Sequence, residues 1–323
     1  MLLIITNRDD LACDYLIVRL NERGIPFGRL NTDQYSETVS VDIALDEHNL
    51  SYAICLENDV ELHSQDIKAI YFRQPIPPSF KAAADSVDKV FAEAEMTETL
   101  RSLWRIIPEE LWLNHPKKLW VASNKLEQLI AAKTIGFHVP DTLISYSSEP
   151  IRSFFEQHNN RVIGKAVRHG FINDGNRFLL AGTQQLTKDF VDRIDEFAKI
   201  PMIFQENIDK VEDIRAIVIG DKVFATRIMI KKPSYDTIDW RVAEIAGANL
   251  IHERMSLPPH IEQKCQSIVQ HFGLKYSSMD IVKDRQGRFI FLELNPNGQW
   301  GWIEQLVGYP VRDQIIDTLW KFD

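Results

Sequence analysis

One stretch near the end of the sequence constrains the fold more than any other: Phe289-Ile290-Phe291-Leu292-Glu293-Leu294-Asn295-Pro296-Asn297-Gly298-Gln299-Trp300. Aromatic and branched residues run unbroken up to Pro296, which has no N–H for a ladder, so the stretch predicts a strand that stops there. Side chains alternate along a strand, which puts Glu293 and Asn295 on one face. A carboxylate and an amide oxygen side by side at a strand end suit a hard cation such as Mg2+. Tyr276–Val282 reads as a partner strand, with Asp284-Arg285-Gln286-Gly287 as the turn. With those four residues in the turn, Asp280 lies across from Phe291 and diagonal to Glu293. One hairpin then brings Asp280, Glu293 and Asn295 together. An edge strand with solvated polar residues is the alternative this hairpin alone leaves open.

The chain has 323 residues, enough for a large core divided into two or three lobes. Its net charge of −9 disfavours a general nucleic-acid surface, though a local basic cleft for phosphates remains compatible with it. Cys13, Cys55 and Cys265 are far apart with no CxxC spacing, which argues against zinc or a disulfide framework and fits a reducing compartment. No apolar run approaches the ~18 residues of a membrane span. Met1–Thr6 lacks a basic leading region and a cleavage site, so it reads as a first strand rather than a signal peptide. The expected location is cytoplasmic.

From the start, Leu2–Thr6 predicts a strand, followed by a helix from Leu11 that ends at Gly24. A second strand follows Pro26, and further strands are expected at Val41–Leu45, Tyr52–Leu56 and Lys68–Arg73, the last stopped by Pro75, Pro77 and Pro78. This is a small open α/β lobe. Phe80–Ile107 predicts one long helix. Arg73 sits at a strand terminus, either facing a cleft or covering apolar surface.

A boundary falls at Trp112–Pro116. Asn124-Lys125-Leu126-Glu127 then reads as a helix start, with Asn124 as the cap. Lys125 in the first turn opposes the macrodipole preference for acids, which hints at a phosphate-holding task. Arg161–Val167 predicts a strand with Lys165 near its middle, where a lysine among apolar residues needs an anionic partner. The polar stretch Arg168–Phe178 carries Gly170 and Gly175 and reads as a loop able to fold over a ligand. Neither GxxxxGK[ST] nor GxGxxG occurs, so a nucleotide must be held in another way. Met202–Ile208 reads as a strand opening into a connector, and Asp213–Arg227 as a hairpin with Gly220-Asp221 at its tip. Period two puts Asp213 and Arg215 on one face, where a surface ion pair is the plain alternative. Lys231–Thr237 reads as a loop, with helices expected at Ile261–Phe272 and Tyr309–Phe322.

Lys165, the Gln205-Glu206 connector, Asp213-x-Arg215 and Asp280…Glu293-x-Asn295, in this order, resemble the ATP-grasp fold over most of the chain. Tyr71-Phe72-Arg73-Gln74-Pro75, Ile203-Phe204-Gln205-Glu206, Asp239-Trp240-Arg241 and Asn295-Pro296-Asn297-Gly298-Gln299-Trp300 narrow the resemblance to the peptide maturases that cyclise graspetides of the microviridin and plesiocin type. The family's glycine-rich lid is matched only in part, at Arg168–Gly175.

The resemblance implies an α/β (α+β) ATP-grasp chain with an N-terminal open lobe at 1–115, a central lobe at 116–204 and a C-terminal lobe with the metal site at 205–323. It implies ATP held by Lys125, Lys165, Gln205, Glu206, Asn207, Ile208 and Asp213, with Glu206 near the adenine edge. Mg2+ would be held by Asp280, Glu293 and Asn295, and the transferring phosphoryl group steadied by Arg215, with Arg227 and Arg241 as weaker candidates. The implied substrate is a ribosomal precursor peptide, with a leader and an acidic core bearing Thr, Ser or Lys, that docks near Arg227–Asp239; the implied assembly is a homodimer. A RimK-like or glutathione-synthetase-like ligase making a linear amide is the alternative within the fold. A non-catalytic nucleotide- or peptide-binding protein is the alternative outside it.

Overall fold

A computed structural model describes residues 1–57, 60–80, 87–168, 171–173, 178–180, 182–196, 199–231, 238–240 and 247–320. The N-terminal lobe is built on a parallel sheet of β1 (Leu2–Thr6) flanked by β2 (Phe27–Asn31) and β6 (Ala69–Phe72), with α1 (Leu11–Glu22) crossing from β1 to β2. Asp10 caps α1, accepting from the N–H groups of Ala12 and Cys13. Between β2 and β6 the chain makes a separate antiparallel sheet of β3 (Ser40–Leu45), β4 (Leu50–Leu56) and β5 (Val60–His63). Sequence reading anticipated β3 and β4 but not β5, which alternates apolar and polar residues over only four positions. The expected long helix is α2 (Val87–Ile106), and Phe80 lies outside it, in the extended chain that follows the prolines.

Next come α3 (Pro116–Ala122) and α4 (Lys125–Ile135), the latter capped by Asn124 and closed by Gly136 in the left-handed conformation. The central sheet has the order β11-β8-β12-β7, formed by β7 (Thr142–Ser145), β8 (Val162–Lys165), β11 (Gln184–Gln185) and β12 (Met202–Glu206). On it pack α5 (Ser148–Gln157) and α6 (Lys188–Asp192), and β9 (Phe171–Asn173) pairs with β10 (Phe178–Leu180) as a separate two-stranded sheet. The polar stretch expected as a loop therefore contains a β-pair.

The C-terminal sheet is antiparallel with the order β15-β14-β13-β16-β17. Its strands are β13 (Lys210–Ile219), β14 (Lys222–Ile230), β15 (Leu250–Met255), β16 (Tyr276–Asp284) and β17 (Phe289–Asn295). α7 (Pro259–His271) covers one face, while α8 (Gly301–Val307) and α9 (Val311–Leu319) cover the other. α8 was not anticipated, and α9 is shorter than the helix expected there.

Two hydrophobic cores run through the lobes. Leu3 and Ile5 of β1 join Trp112, Leu129, Ile214 and Phe291 in one, while Leu2 and Ile4 join Ile217, Trp300 and Ile315 in the other. A parallel strand buried on both faces does this by alternation.

Asn114, 4% exposed, stitches the lobes together. Its Nδ2 donates to the Tyr276 and Pro296 carbonyls, at 2.7 and 3.0 Å. Its Oδ1 accepts from the N–H groups of Lys275 and Tyr276. Asn114→Ala strands these buried backbone groups and should cost about 3 kcal/mol in urea unfolding; a loss below about 1 kcal/mol would refute that account.

Candidate active site

The β16–β17 hairpin differs from its expected register in two respects: pairing starts with Lys283 opposite Phe289, one position beyond the expected register, and the ladder is then interrupted. A β-bulge leaves Leu292 without a partner, so Asp280 sits directly opposite Glu293, and Ile281 opposite Phe291. The two shifts together bring the two carboxylates closer in register than the expected diagonal. Ser278 lies opposite Asn295, and Asn295 Nδ2 donates to Glu293 Oε1 at 3.4 Å.

On the next strand Arg215 faces Asp280, and its Nη1 donates to Asp280 Oδ1 at 2.8 Å. Both are buried, at 6% and 8% exposure. Asp213 lies on the same face of β13, held by Lys210 Nζ at 2.7 Å, and burial pushes its carboxyl above the usual range. Lys210 also donates to the Ile238 carbonyl. Nothing in the sequence pattern singled it out, because its role depends on the irregular pairing at the start of β13.

The strand end that carries Glu293 and Asn295 is fixed almost residue by residue. Gln128 of α4 donates to the Leu294 carbonyl and accepts from the Leu294 N–H. Asn114 holds Pro296, as described above. The Tyr276 hydroxyl donates to the Gly298 carbonyl at 2.7 Å, and burial pushes that phenol up to about 12, which keeps it a neutral donor. The Trp300 indole donates to the Tyr71 hydroxyl. Arg73 binds Asn297, is buried, and is among the residues lining a cleft with Asn7, Thr32 and Gln74, the first of the two expectations for it.

The side chain of Lys125 reaches the backbone next to Lys165, 40 positions on in sequence. Lys125 Nζ donates to the carbonyl of Ala166, the residue after Lys165, at 3.1 Å. Lys165 ends β8 instead of lying in its middle, since Ala166 has left the ladder.

In the connector, Gln205 is buried and donates to Thr142 Oγ1. Glu206 N–H is engaged by the Asp141 carbonyl and Asn207 N–H by the Arg161 carbonyl. Among the described residues Ile208 N–H makes no backbone hydrogen bond, which leaves it available to a ligand edge. The Glu206 side chain turns toward Asp141 N–H and His158. The Glu206 N–H and carboxylate are thus both engaged within the protein.

One arginine expected at the site is not brought to it. Alternation along β14 puts Arg227 on the sheet face opposite Arg215 and Asp280, where it pairs with Glu212 and Glu253. Arg241 lies outside the described residues, as do 232–237 of the expected docking loop and both glycines of the expected lid.

Residues 122–319 match the model of the RimK-like ATP-grasp domain, and residues 1–119 match that of the MvdD pre-ATP grasp domain. The chain belongs to the RimK-like ATP-grasp family. The structure of macrocyclase MdnC bound with precursor peptide MdnA, from Microcystis aeruginosa MRC, is similar to this ATP-grasp chain with a TM-score of 0.86 and 25% identity, over 99% of each chain. A Chryseobacterium gregarium RiPP-associated ATP-grasp ligase, solved with ADP and a leader and core peptide, gives 0.88 at 23% identity over 98% of this chain and 96% of that one. ATP-grasp ligase PsnB complexed with minimal precursor gives 0.79 at 22% identity over 98% and 97%. The last two likenesses carry the fold alone. No curated protein sequence matches the chain. No helix among the described residues is long and apolar enough to cross a membrane.

Proposed function

We propose that this ATP-grasp ligase is a peptide macrocyclase of the graspetide type. The observation that carries the reading is the end-to-end likeness to macrocyclase MdnC, N-terminal domain included, joined to the Arg215–Asp280–Glu293–Asn295 cluster. A side-chain carboxylate of a ribosomal precursor attacks the γ-phosphorus of ATP, ADP leaves, and an acyl phosphate results. A Thr or Ser hydroxyl, or a Lys amine, of the same peptide then attacks the acyl carbon. Phosphate leaves, the nucleophile loses its proton, and an ω-ester or ω-amide ring closes.

Lys125 and Lys165 hold the phosphates as point charges, and the Gln205–Ile208 connector receives the adenine edge, with Asp213 in the same cofactor set. Asp280, Glu293 and Asn295 offer three oxygen donors on one face, a hard set that fits Mg2+. When bound, Mg2+ supplies charge neutralisation at the β- and γ-phosphate oxygens. Arg215 is aimed by its bond to Asp280 and steadies the phosphoryl group in flight. No enzyme nucleophile is needed, and burial pushes the Cys13 and Cys265 thiols up, which leaves them inert. Attack within one peptide gains effective concentration, which favours rings over linear products. A homodimer in the cytoplasm is part of the same reading.

The test is co-expression with a short acidic, Thr-rich peptide encoded beside the gene, followed by mass measurement. The expected product has lost one water per bond formed, and methanolysis separates ester from amide. An unmodified peptide, with ADP released on free amino acids instead, would move the assignment to a linear carboxylate–amine ligase.

A further inference from the structure

Arg73 follows β6 in the N-terminal lobe and remains in its ladder, its N–H bonded to the Ile5 carbonyl at 2.9 Å. The residue is 0% exposed. Its Nη1 donates to the Asn297 carbonyl, and Asn297 Nδ2 donates back to the Arg73 carbonyl. Nε and Nη2 are buried with no hydrogen-bond partner among the described residues. As a stability device this is poor. A buried guanidinium that makes one hydrogen bond retains most of its desolvation cost, and an apolar side chain of similar length would pack there with less penalty.

What the bond does hold is a segment with no slack. Asn297 lies two residues beyond Asn295 and one before Gly298. A Cβ placed on Gly298 would lie 1.8 Å from Ser278 Oγ and 2.8 Å from Arg215 Nη2, so the Gly298 backbone rests directly on both. Arg215 is in turn the partner of Asp280. The Tyr276 phenol, bonded to the Gly298 carbonyl, feels the charges of Arg73 and Arg215 together. A shift of the Asn297 carbonyl is therefore transmitted along one peptide unit to the surface that aims Arg215.

We infer that Arg73 is a positioning residue: from the N-terminal lobe it sets the Asn297–Gly298 backbone, and through it the placement of Arg215 and Asn295 at the reacting end of the nucleotide. This rests on the proposed roles of Arg215 and the Asp280–Glu293–Asn295 set. The neutral clamps on the same segment, Gln128, Asn114 and Tyr276, fix its neighbours; Arg73 is the clamp that fixes Asn297 itself.

Arg73→Met keeps the length and removes the donor. A purely structural arginine would lose stability and activity together. Positioning predicts a variant with an unchanged or higher melting temperature whose peptide-dependent kcat for ADP release falls about 10- to 100-fold, with KM for ATP within about threefold, because Lys125, Lys165 and the connector are untouched. Arg73→Lys, which restores one donor, should recover part of the loss, and it serves as the test variant if the methionine form does not fold.

In parallel, ATP binding is titrated with and without Mg2+ and with no peptide present. The gain in affinity from Mg2+ should shrink about tenfold in the variant, since Asn295 is displaced with Asn297. A folded variant with kcat and Mg2+ gain both within about twofold of the parent would overturn the inference. If no precursor supports turnover by the parent, the macrocyclase reading fails, while the peptide-free titration still decides the role of Arg73.

Discussion

Glu293→Gln is expected to abolish ADP formation while leaving the fold intact. The substitution keeps the shape of the side chain and removes one of the two carboxylates that the bulge sets face to face. Glu293 is half-buried at the end of β17, so the neutral amide carries no desolvation penalty that would unfold the sheet. On the proposed assignment, what would disappear is charge among the residues that would hold the cation. Losing a charged ligand at such a site costs several kcal/mol of transition-state stabilisation, so turnover should drop by about 10³-fold. Asp280→Asn should act in the same direction and also weaken the hold on Arg215, whose Nη1 would keep an oxygen acceptor but lose its charged partner. The check is ADP release with peptide, ATP and Mg2+, beside a thermal melt. Turnover at the wild-type rate in either folded variant would remove the metal assignment.

Gly298→Ala carries the second large effect, and its cause is steric. The added methyl would meet Ser278 Oγ at 1.8 Å and Arg215 Nη2 at 2.8 Å. Contacts below 3 Å cannot persist, so either the 296–298 segment lifts or Arg215 is pushed off Asp280. Lifting works against the Asn114, Arg73 and Tyr276 bonds that hold the segment. Overpacking of this kind costs about 1–3 kcal/mol of stability, and a displacement near 1 Å at Arg215 should lower kcat about 100-fold. The pair Gly298→Ala with Ser278→Gly removes the closer clash and should restore stability more than activity, because the contact with Arg215 remains. Wild-type melting and turnover in the single variant would show that the segment is looser than the geometry implies.

The hairpin itself was legible in the sequence. Alternation and Pro296 predict a strand that presents Glu293 and Asn295 together, and the Asp284–Gly287 turn brings Asp280 to them. Gly220-Asp221 likewise predicts the β13–β14 turn, and Asn124 the cap that places Lys125. These are local signals, carried by residues within one or two turns of one another. The register was less legible: the bulge at Leu292 arises from twist and packing between strands, and no single residue type announces it.

Of Arg227 and Glu206, only the second shows the same limit. Each sits in the right stretch; alternation across the β13–β14 turn sets the face of Arg227, whereas the direction of the Glu206 side chain depends on Asp141 and His158, far off in the chain. Asn114 and Gln128 mark its far end. As single polar residues in otherwise ordinary segments they carry no periodicity, and their partners are 162 to 182 positions away. The sequence by itself determined which groups could do the chemistry, because residue type and strand alternation are written locally. Only the tertiary structure decided how those groups are aimed, because buried polar groups must find partners, and the partners available were set by how the lobes packed.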